Sequence, residues 1–302
     1  MKILLTGATG FIGRELCSTL PESVQVLLRK PNLTYSNYFY LKNYDSHSDF
    51  SSALIDKDIV IHLAAVNSDQ INQNCTMSIA KAFEVNVTTT LSLAKQAAQN
   101  GVKRFIFLSS IKVNGESTNK SRFFTCSDTP CPVDLYARLK AKAESELLLI
   151  GENTGMEIVI IRPPLVYGKG VKANFSSLMR YVSKGLPLPF RSIKNNKRSL
   201  VSIYNLIDLI KVCIEHPKAA NQIFLASDDN DLSTAEIVAL MAKVQNKKNL
   251  ALPVPVWCFK LAGKLLNKAD AINRLTGSLQ LDITHTKNTL NWTPPYSVEH
   301  GF

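Results

Sequence analysis

No stretch of this 302-residue chain approaches the roughly eighteen consecutive apolar residues that cross a bilayer, so no membrane span is expected. Met1-Lys2-Ile3-Leu4-Leu5 enters an apolar strand at once, which leaves no room for a charged, apolar and cleavable signal segment, and a cytoplasmic location is the expectation. None of the six cysteines (Cys17, Cys75, Cys126, Cys131, Cys213, Cys258) forms a CxxC pair, and none of the five histidines joins them at metal-ligand spacing. No metal is therefore expected, and Cys126 and Cys131, in a proline-containing loop, read as free thiols. Internal repeats and low-complexity segments are absent, which argues against a solenoid. Acidic residues are scarce, 24 against 35 Lys plus Arg, giving a net charge of +11. That balance suits an anionic ligand. No aromatic-interleaved basic stripe or recognition-helix pattern accompanies it, so no nucleic-acid partner is expected.

What the chain does have is short apolar runs alternating with longer amphipathic stretches. Candidate strands are Ile3 to Thr6, Val24 to Leu28, Ile59 to Leu63, Phe105 to Leu108 and Ile158 to Ile161, each rich in Val, Ile, Leu or Phe, as expected when both faces of a parallel sheet are covered. The clearest helix runs from about Ser78 to Asn100, with Phe83, Val87, Leu91, Ala94 and Ala98 at helical spacing and Gly101 as its stop. After Gly168 the pattern breaks into shorter pieces. Asn205 to His216 reads as a helix, and Ile223 to Ala226 as a strand able to rejoin the main sheet. The expected fold is α/β: a doubly wound parallel Rossmann sheet (1–167 plus about 199–227) with a smaller C-terminal α/β substrate lobe (168–198 plus 228–302). Val256 to Leu266, with Trp257, Phe259 and two lysines, reads as a packed amphipathic helix in preference to one lying on a membrane surface.

Directly after the first strand stands Gly7-Ala8-Thr9-Gly10-Phe11-Ile12-Gly13, where a helix begins. Glycine allows the backbone to turn tightly and approach a pyrophosphate, and the free amides of a new helix attract phosphate. Gly7, Gly10, Phe11, Ile12 and Gly13 are thus candidate dinucleotide-binding residues. NAD-selective units end the second strand in Asp or Glu, but here Val24 to Leu28 runs into Arg29-Lys30. These cations suit a 2′-phosphate, with Arg14 as a second contact, so NADP(H) is favoured and NAD(H) stays open. An Arg29 merely solvated at a strand end is the competing reading.

Ser109-Ser110 follows the strand ending at Leu108, at the edge where open α/β sheets bind ligands. Further on, Asp134 is a candidate helix cap, and Tyr136 and Lys140 lie one turn apart on one helical face. A nearby ammonium favours the phenolate and is expected to lower the tyrosine pKa, so that Tyr136 exchanges a proton with a sugar hydroxyl while Ser110 holds the same oxygen.

In these motifs the chain resembles an extended short-chain dehydrogenase/reductase, within the NAD-dependent epimerase/dehydratase group of nucleotide-sugar enzymes. The resemblance extends through His62-Leu63-Ala64-Ala65, Asn86, Ser109 to Gly115, Tyr136 to Lys140 and Arg162 to Gly168. It implies that Ser110, Tyr136 and Lys140 are catalytic, that Leu63, Ala64, Ala65 and Asn86 border the cofactor, that Lys140 also holds the nicotinamide ribose, and that Pro163 lies beside the nicotinamide. His62 reads as structural. In the second lobe the resemblance implies that Asn174 and Arg198 grip the diphosphate of a nucleotide sugar and that Leu188 runs along the uracil, a ligand-free surface arginine being the other reading of Arg198. It also implies a homodimer paired through the helix that carries Tyr136.

Three reactions compete on such a scaffold. The 4,6-dehydratases carry Asp-Glu directly after the catalytic Ser or Thr, and here Ile111-Lys112 stands there, which argues against dehydration. Arg29 leans toward a ketoreductase using NADPH, and the Ser110 to Gly115 and Arg162 to Gly168 segments are most similar to bacterial enzymes reducing a UDP-4-keto-6-deoxy-N-acetylhexosamine for surface polysaccharide. Leu165 also stands where many 4-epimerases have an Asn. Reduction is therefore the expectation, with a 4-epimerase holding NAD tightly as the alternative and a non-catalytic NAD(P)-sensing regulator a remote one, since Ser110, Tyr136 and Lys140 are all retained.

Overall fold

In the computed structural model, the described residues are 1–302 apart from 21–23, 33, 120–121, 172–173 and 267, together with the side chain of Asn174. The strands, in chain order, are β1 (Ile3–Thr6), β2 (Val24–Leu28), β3 (Tyr38–Tyr40), β4 (Ile59–His62), β5 (Arg104–Leu108), β6 (Glu157–Arg162), β7 (Leu165–Tyr167), β8 (Leu200–Ser202) and β9 (Gln222–Leu225). Among the described residues, seven of them form one sheet in the order β3-β2-β1-β4-β5-β6-β9, and every pairing is parallel. The chain leaves β1 toward β2 and β3, then crosses back to β4 on the other side, so the order reverses between β1 and β4. The β9 strand does rejoin the sheet, against β6.

Side chains alternate across the sheet and make it the wall between two cores. Ile3, Leu5, Ile59, Ile61, Ile106, Val159 and Ile161 face one way, against Leu16 of helix Phe11–Thr19 and Leu206, Leu209 and Ile210 of helix Ile203–Glu215. Leu4, Val60, Phe105, Phe107, Ile158 and Ile160 face the other, against Leu93, Ala94 and Ala97 of helix Thr90–Gln99 and Ala143 and Leu147 of helix Leu135–Thr154. Because both faces are covered, the central strands are dominated by Val, Ile, Leu and Phe. The Leu135–Thr154 helix starts where expected: the Asp134 side chain accepts from Ala137 N at 2.7 Å, and Gly155 closes the helix at φ 77°.

The long helix expected from Ser78 to Asn100 is helical from Thr76 to Gln99, but it widens into a π turn over Glu84–Thr89. Apolar spacing does not register that turn, which presents the buried Asn86 to the Val66 backbone. A separate apolar cluster gathers Tyr167, Phe175, Val182, Leu188, Leu200, Val238 and Met241, beside the parallel pair β7-β8. Leu279, Leu281, Leu290 and Trp292, by contrast, pack with the core of the main sheet.

The helix Val256–Leu265 is packed on only part of its surface. Phe259 stacks near Phe190 with ring centroids 5.9 Å apart, and Gly263 lies against Ile272. Trp257, Leu261, Leu265 and Leu266 remain 66%, 52%, 75% and 68% exposed, which corrects the expectation of a packed amphipathic helix. No helix among the described residues is long and apolar enough to cross a membrane.

Candidate active site

The carboxyl ends of β1, β2, β4, β5 and β6 open into a cavity of about 1080 Å³. Gly7, Gly10, Phe11, Ile12 and Gly13 follow β1 into it, Arg29 follows β2, Leu63, Ala64 and Ala65 follow β4, Ser110 follows β5 and Pro163 follows β6. Tyr136 and Lys140 reach it from the helix beside them. These residues, singled out in the sequence, share the lining with others that were not.

The glycines are required by close contact. Gly7 has φ 76°, and a Cβ there would meet Ala64 N at 2.6 Å, so the loops after β1 and β4 touch. A Cβ on Gly13 would lie 2.2 Å from Gly7 O, so the helix starts flush against the loop. The start of helix Phe11–Thr19 has neither a side-chain cap nor an acidic residue in its first turn, which leaves its amides to an anion. Arg29, Lys30, Lys42, Lys81 and Lys140 line the cavity, and no Asp or Glu does among the described residues. The Ser109 hydroxyl, buried on the cavity wall, has no hydrogen-bond partner. A backbone cradle, five basic side chains and a spare hydroxyl fit a dinucleotide.

Lys140 is buried, donates from Nζ to Leu108 O at 2.8 Å, and lies 4.3 Å from the centre of the Phe107 ring. Burial pulls its pKa down to about 7, against the opposing charge of Glu144. Tyr136 moves the opposite way from expectation. Burial, then the carboxylates of Asp134 and Asp69, push its phenol above the ordinary value. The half-buried Ser110 accepts from Lys112 N at 3.3 Å, capping the short turn Ile111–Val113.

Other expected contacts are not brought to the cavity. Asn86 spends both ends of its carboxamide on Val66, accepting from N at 2.7 Å and donating to O at 2.9 Å. It thereby shapes the Ala64–Val66 wall from behind. Arg14 is exposed and does not line the cavity, since one step along the helix from Gly13 rotates the side chain about 100°. Leu188 is buried in the Tyr167 cluster. Arg198 Nη1 donates to Arg274 O at 2.8 Å and Gly277 O at 3.3 Å, satisfying carbonyls at the end of helix Ala269–Thr276. Asn174 begins helix Asn174–Ser183, but the side chain invoked for the diphosphate lies outside the described residues. His62 is structural in its surroundings: it is fully buried between the Thr6 and Thr90 hydroxyls, 2.8 and 3.0 Å from its ring nitrogens, and stacks on Phe107. Lys42, which follows β3, and Ser78 and Lys81 of helix Thr76–Phe83 line the cavity without having been anticipated, because no sequence motif marks them.

The chain matches the NAD dependent epimerase/dehydratase family over residues 3–226. It is 49% identical over 309 aligned residues, covering 100% of this chain and 93% of the relative, to a UDP-glucose 4-epimerase of Vibrio cholerae. Among solved structures, it superposes with a TM-score of 0.82 and 20% identity on a UDP-N-acetylglucosamine 4-epimerase from Bacillus cereus, over 100% of this chain and 96% of that one. A UDP-glucuronic acid 4-epimerase from Bacillus cereus in complex with NAD gives 0.78 at 21% identity, over 100% and 94%. These likenesses do not support the expected preference for NADP, and they favour epimerisation over reduction. The loop-to-helix cradle, the strand order and the sequence match agree: this chain belongs to the NAD dependent epimerase/dehydratase family.

Proposed function

We propose that the chain is a 4-epimerase of a UDP-hexose or UDP-N-acetylhexosamine that works with tightly bound NAD. The observation that carries this reading is the opening of Ser110, Tyr136 and Lys140 into one cavity with the glycine loop, in a chain 49% identical end to end to a UDP-glucose 4-epimerase. NAD, held by the Gly7 to Gly13 loop, would supply a reversible acceptor for the hydride on C4 of the sugar. The chain's own residues handle the proton. Tyr136 takes it from the 4-hydroxyl and returns it, Ser110 fixes that oxygen, and Lys140, one turn from Tyr136, supplies the positive charge that an ionised phenol needs. Gly7 to Gly13 hold the pyrophosphate on backbone amides. Lys112, where a dehydratase has an acid, leaves no carboxylate at that position to expel water. The division into a cofactor-binding body and a sugar-nucleotide lobe belongs to this proposal, as do a homodimer, the location in the cytoplasm and the roles of Asn174, Leu188 and Arg198.

One observation favours a second reading, a ketoreductase using NADPH. Arg29, Lys30 and Lys42 line the cavity with no acidic residue beside them, a charge pattern suited to a 2′-phosphate.

One experiment separates the two. The protein is incubated with UDP-glucose, then with UDP-N-acetylglucosamine, without added reductant, and the C4 epimers are separated by chromatography. Interconversion together with NAD released on denaturation supports the epimerase. No interconversion, with NADPH consumed on a UDP-4-keto-6-deoxy-N-acetylhexosamine, moves the assignment to the reductase.

A further inference from the structure

The cavity and its lining leave the exposed side of helix Val256–Leu265 without a role. Trp257, Leu261 and Leu265 fall at i, i+4 and i+8 and share one face, and Leu266 caps the helix end beside it. All four are more than half exposed. Water-facing apolar side chains scattered singly need no explanation, but a continuous stripe that includes a tryptophan does. Lys260 and Lys264 are exposed on the flank of this stripe and Lys268 follows at the next helix. Among the described residues none of these lysines is paired with a carboxylate, and the helix itself contains no Asp or Glu.

We propose that this helix docks on an anionic bilayer surface, with Trp257, Leu261, Leu265 and Leu266 entering the headgroup boundary and Lys260, Lys264 and Lys268 meeting lipid phosphates. A short helix with an aromatic and leucines on one side and lysines beside them is the arrangement that lies in such an interface. Long lysine stems cover apolar surface while their ammonium groups reach the charged layer. A second copy of this chain fits less well, because a two-fold contact through the stripe brings the unpaired lysines of both copies together. The inference concerns a surface remote in sequence from the cavity motifs and stands whichever reaction the site performs.

The test uses the full chain with sedimented vesicles of phosphatidylglycerol and phosphatidylcholine, compared with phosphatidylcholine alone. The chain has two tryptophans. Trp292 is 4% exposed and donates from Nε1 to Asp208 at 2.7 Å, so a blue shift of emission on adding vesicles reports Trp257. Expected are pelleting and a blue shift with the anionic vesicles only. The partition coefficient should fall at least about tenfold in Lys260→Glu/Lys264→Glu and in Leu261→Gln/Leu265→Gln, both of which keep their thermal transition and turnover. Each lysine near such a surface contributes roughly fivefold, so binding must also weaken with salt. No pelleting with anionic vesicles overturns the proposal. So does a concentration-dependent blue shift without vesicles that Leu261→Gln/Leu265→Gln abolishes, which assigns the stripe to a second copy of the chain.

Discussion

Lys112 forms an ion pair through Nζ with Asp134, the residue whose other carboxylate oxygen caps the helix that carries Tyr136. Lys112 also donates its backbone N–H to the Ser110 hydroxyl. One lysine thus ties the serine segment to the start of the tyrosine helix. Partial burial would raise the Asp134 pKa, but the hydrogen bonds from Lys112 and Ala137 hold it below the ordinary carboxylate value. Asp134 is therefore a fixed negative charge near Tyr136, and Lys112 offsets it.

Lys112→Met should leave that charge uncompensated and raise the Tyr136 pKa further. The expected result is a loss of turnover on the order of tenfold at neutral pH, recovered in part as pH rises, while Lys112→Arg keeps most activity. A pH–rate profile of the three proteins checks this. A loss in Lys112→Met that is uniform across pH would assign the pair a purely structural role.

Lys140 leaves a signature in stability. Its folded pKa of about 7 lies below the 10.5 of an ordinary lysine. Between those values the unfolded chain binds a proton that the folded chain does not, so this group makes the protein more stable as pH rises from about 7 to 10.5. Below pH 7 a buried charge is present and the gain is absent. In Lys140→Met that part of the pH dependence should vanish, measured as the difference between wild-type and variant unfolding free energies at pH 6.5 and pH 9.

Burial, then the charge of Lys140, lower the His62 pKa from 6.5 to about 3. The unfolded chain takes up a proton near 6.5 that the folded chain refuses until about 3, so stability attributable to His62 is full above pH 6.5 and is lost as pH falls through that window. His62→Gln should cost about 1–3 kcal/mol at pH 7 through poorer bonding to Thr6 and Thr90. It should also show a flatter loss between pH 6.5 and 4, read by urea denaturation.

Arg162 and Glu144 form a buried pair, Nη2 to Oε2 at 2.5 Å, and Arg162 Nη1 also donates to Asn114 at 3.0 Å. This joins β6 to the tyrosine helix and to the turn after Ser110. Glu144→Ala leaves the guanidinium buried without its counter-charge and should destabilise the chain by about 3–5 kcal/mol. Pairing it with Arg162→Met should recover much of that loss in the same denaturation experiment. A single variant as stable as wild type would show that solvent reaches Arg162.

Local sequence was sufficient wherever one segment contained the whole physical reason. The glycine loop, the strands β1 and β2 and the Asp134 cap were all legible, because apolar runs, missing Cβ atoms and a short polar cap act over a few residues. Tyr136 and Lys140 were legible as neighbours through helical spacing, and their arrival with Ser110 at the sheet edge followed from strand order. Their electrostatics were not legible. The Tyr136 phenol is pushed up by burial and by the carboxylates of Asp134 and Asp69, and both the burial and the distant Asp69 are set by long-range folding. Asn86 and Arg198 were read as ligand contacts, and the fold gives both ends of the Asn86 carboxamide to the Val66 backbone and one Arg198 nitrogen to the end of the Ala269–Thr276 helix. Chain-local chemistry determined the strands β1, β2, β4, β5, β6 and β9, the glycine turn and the Asp134 cap. The tertiary structure alone decided which charges face one another and which polar groups are already satisfied, because burial and long-range contacts set both.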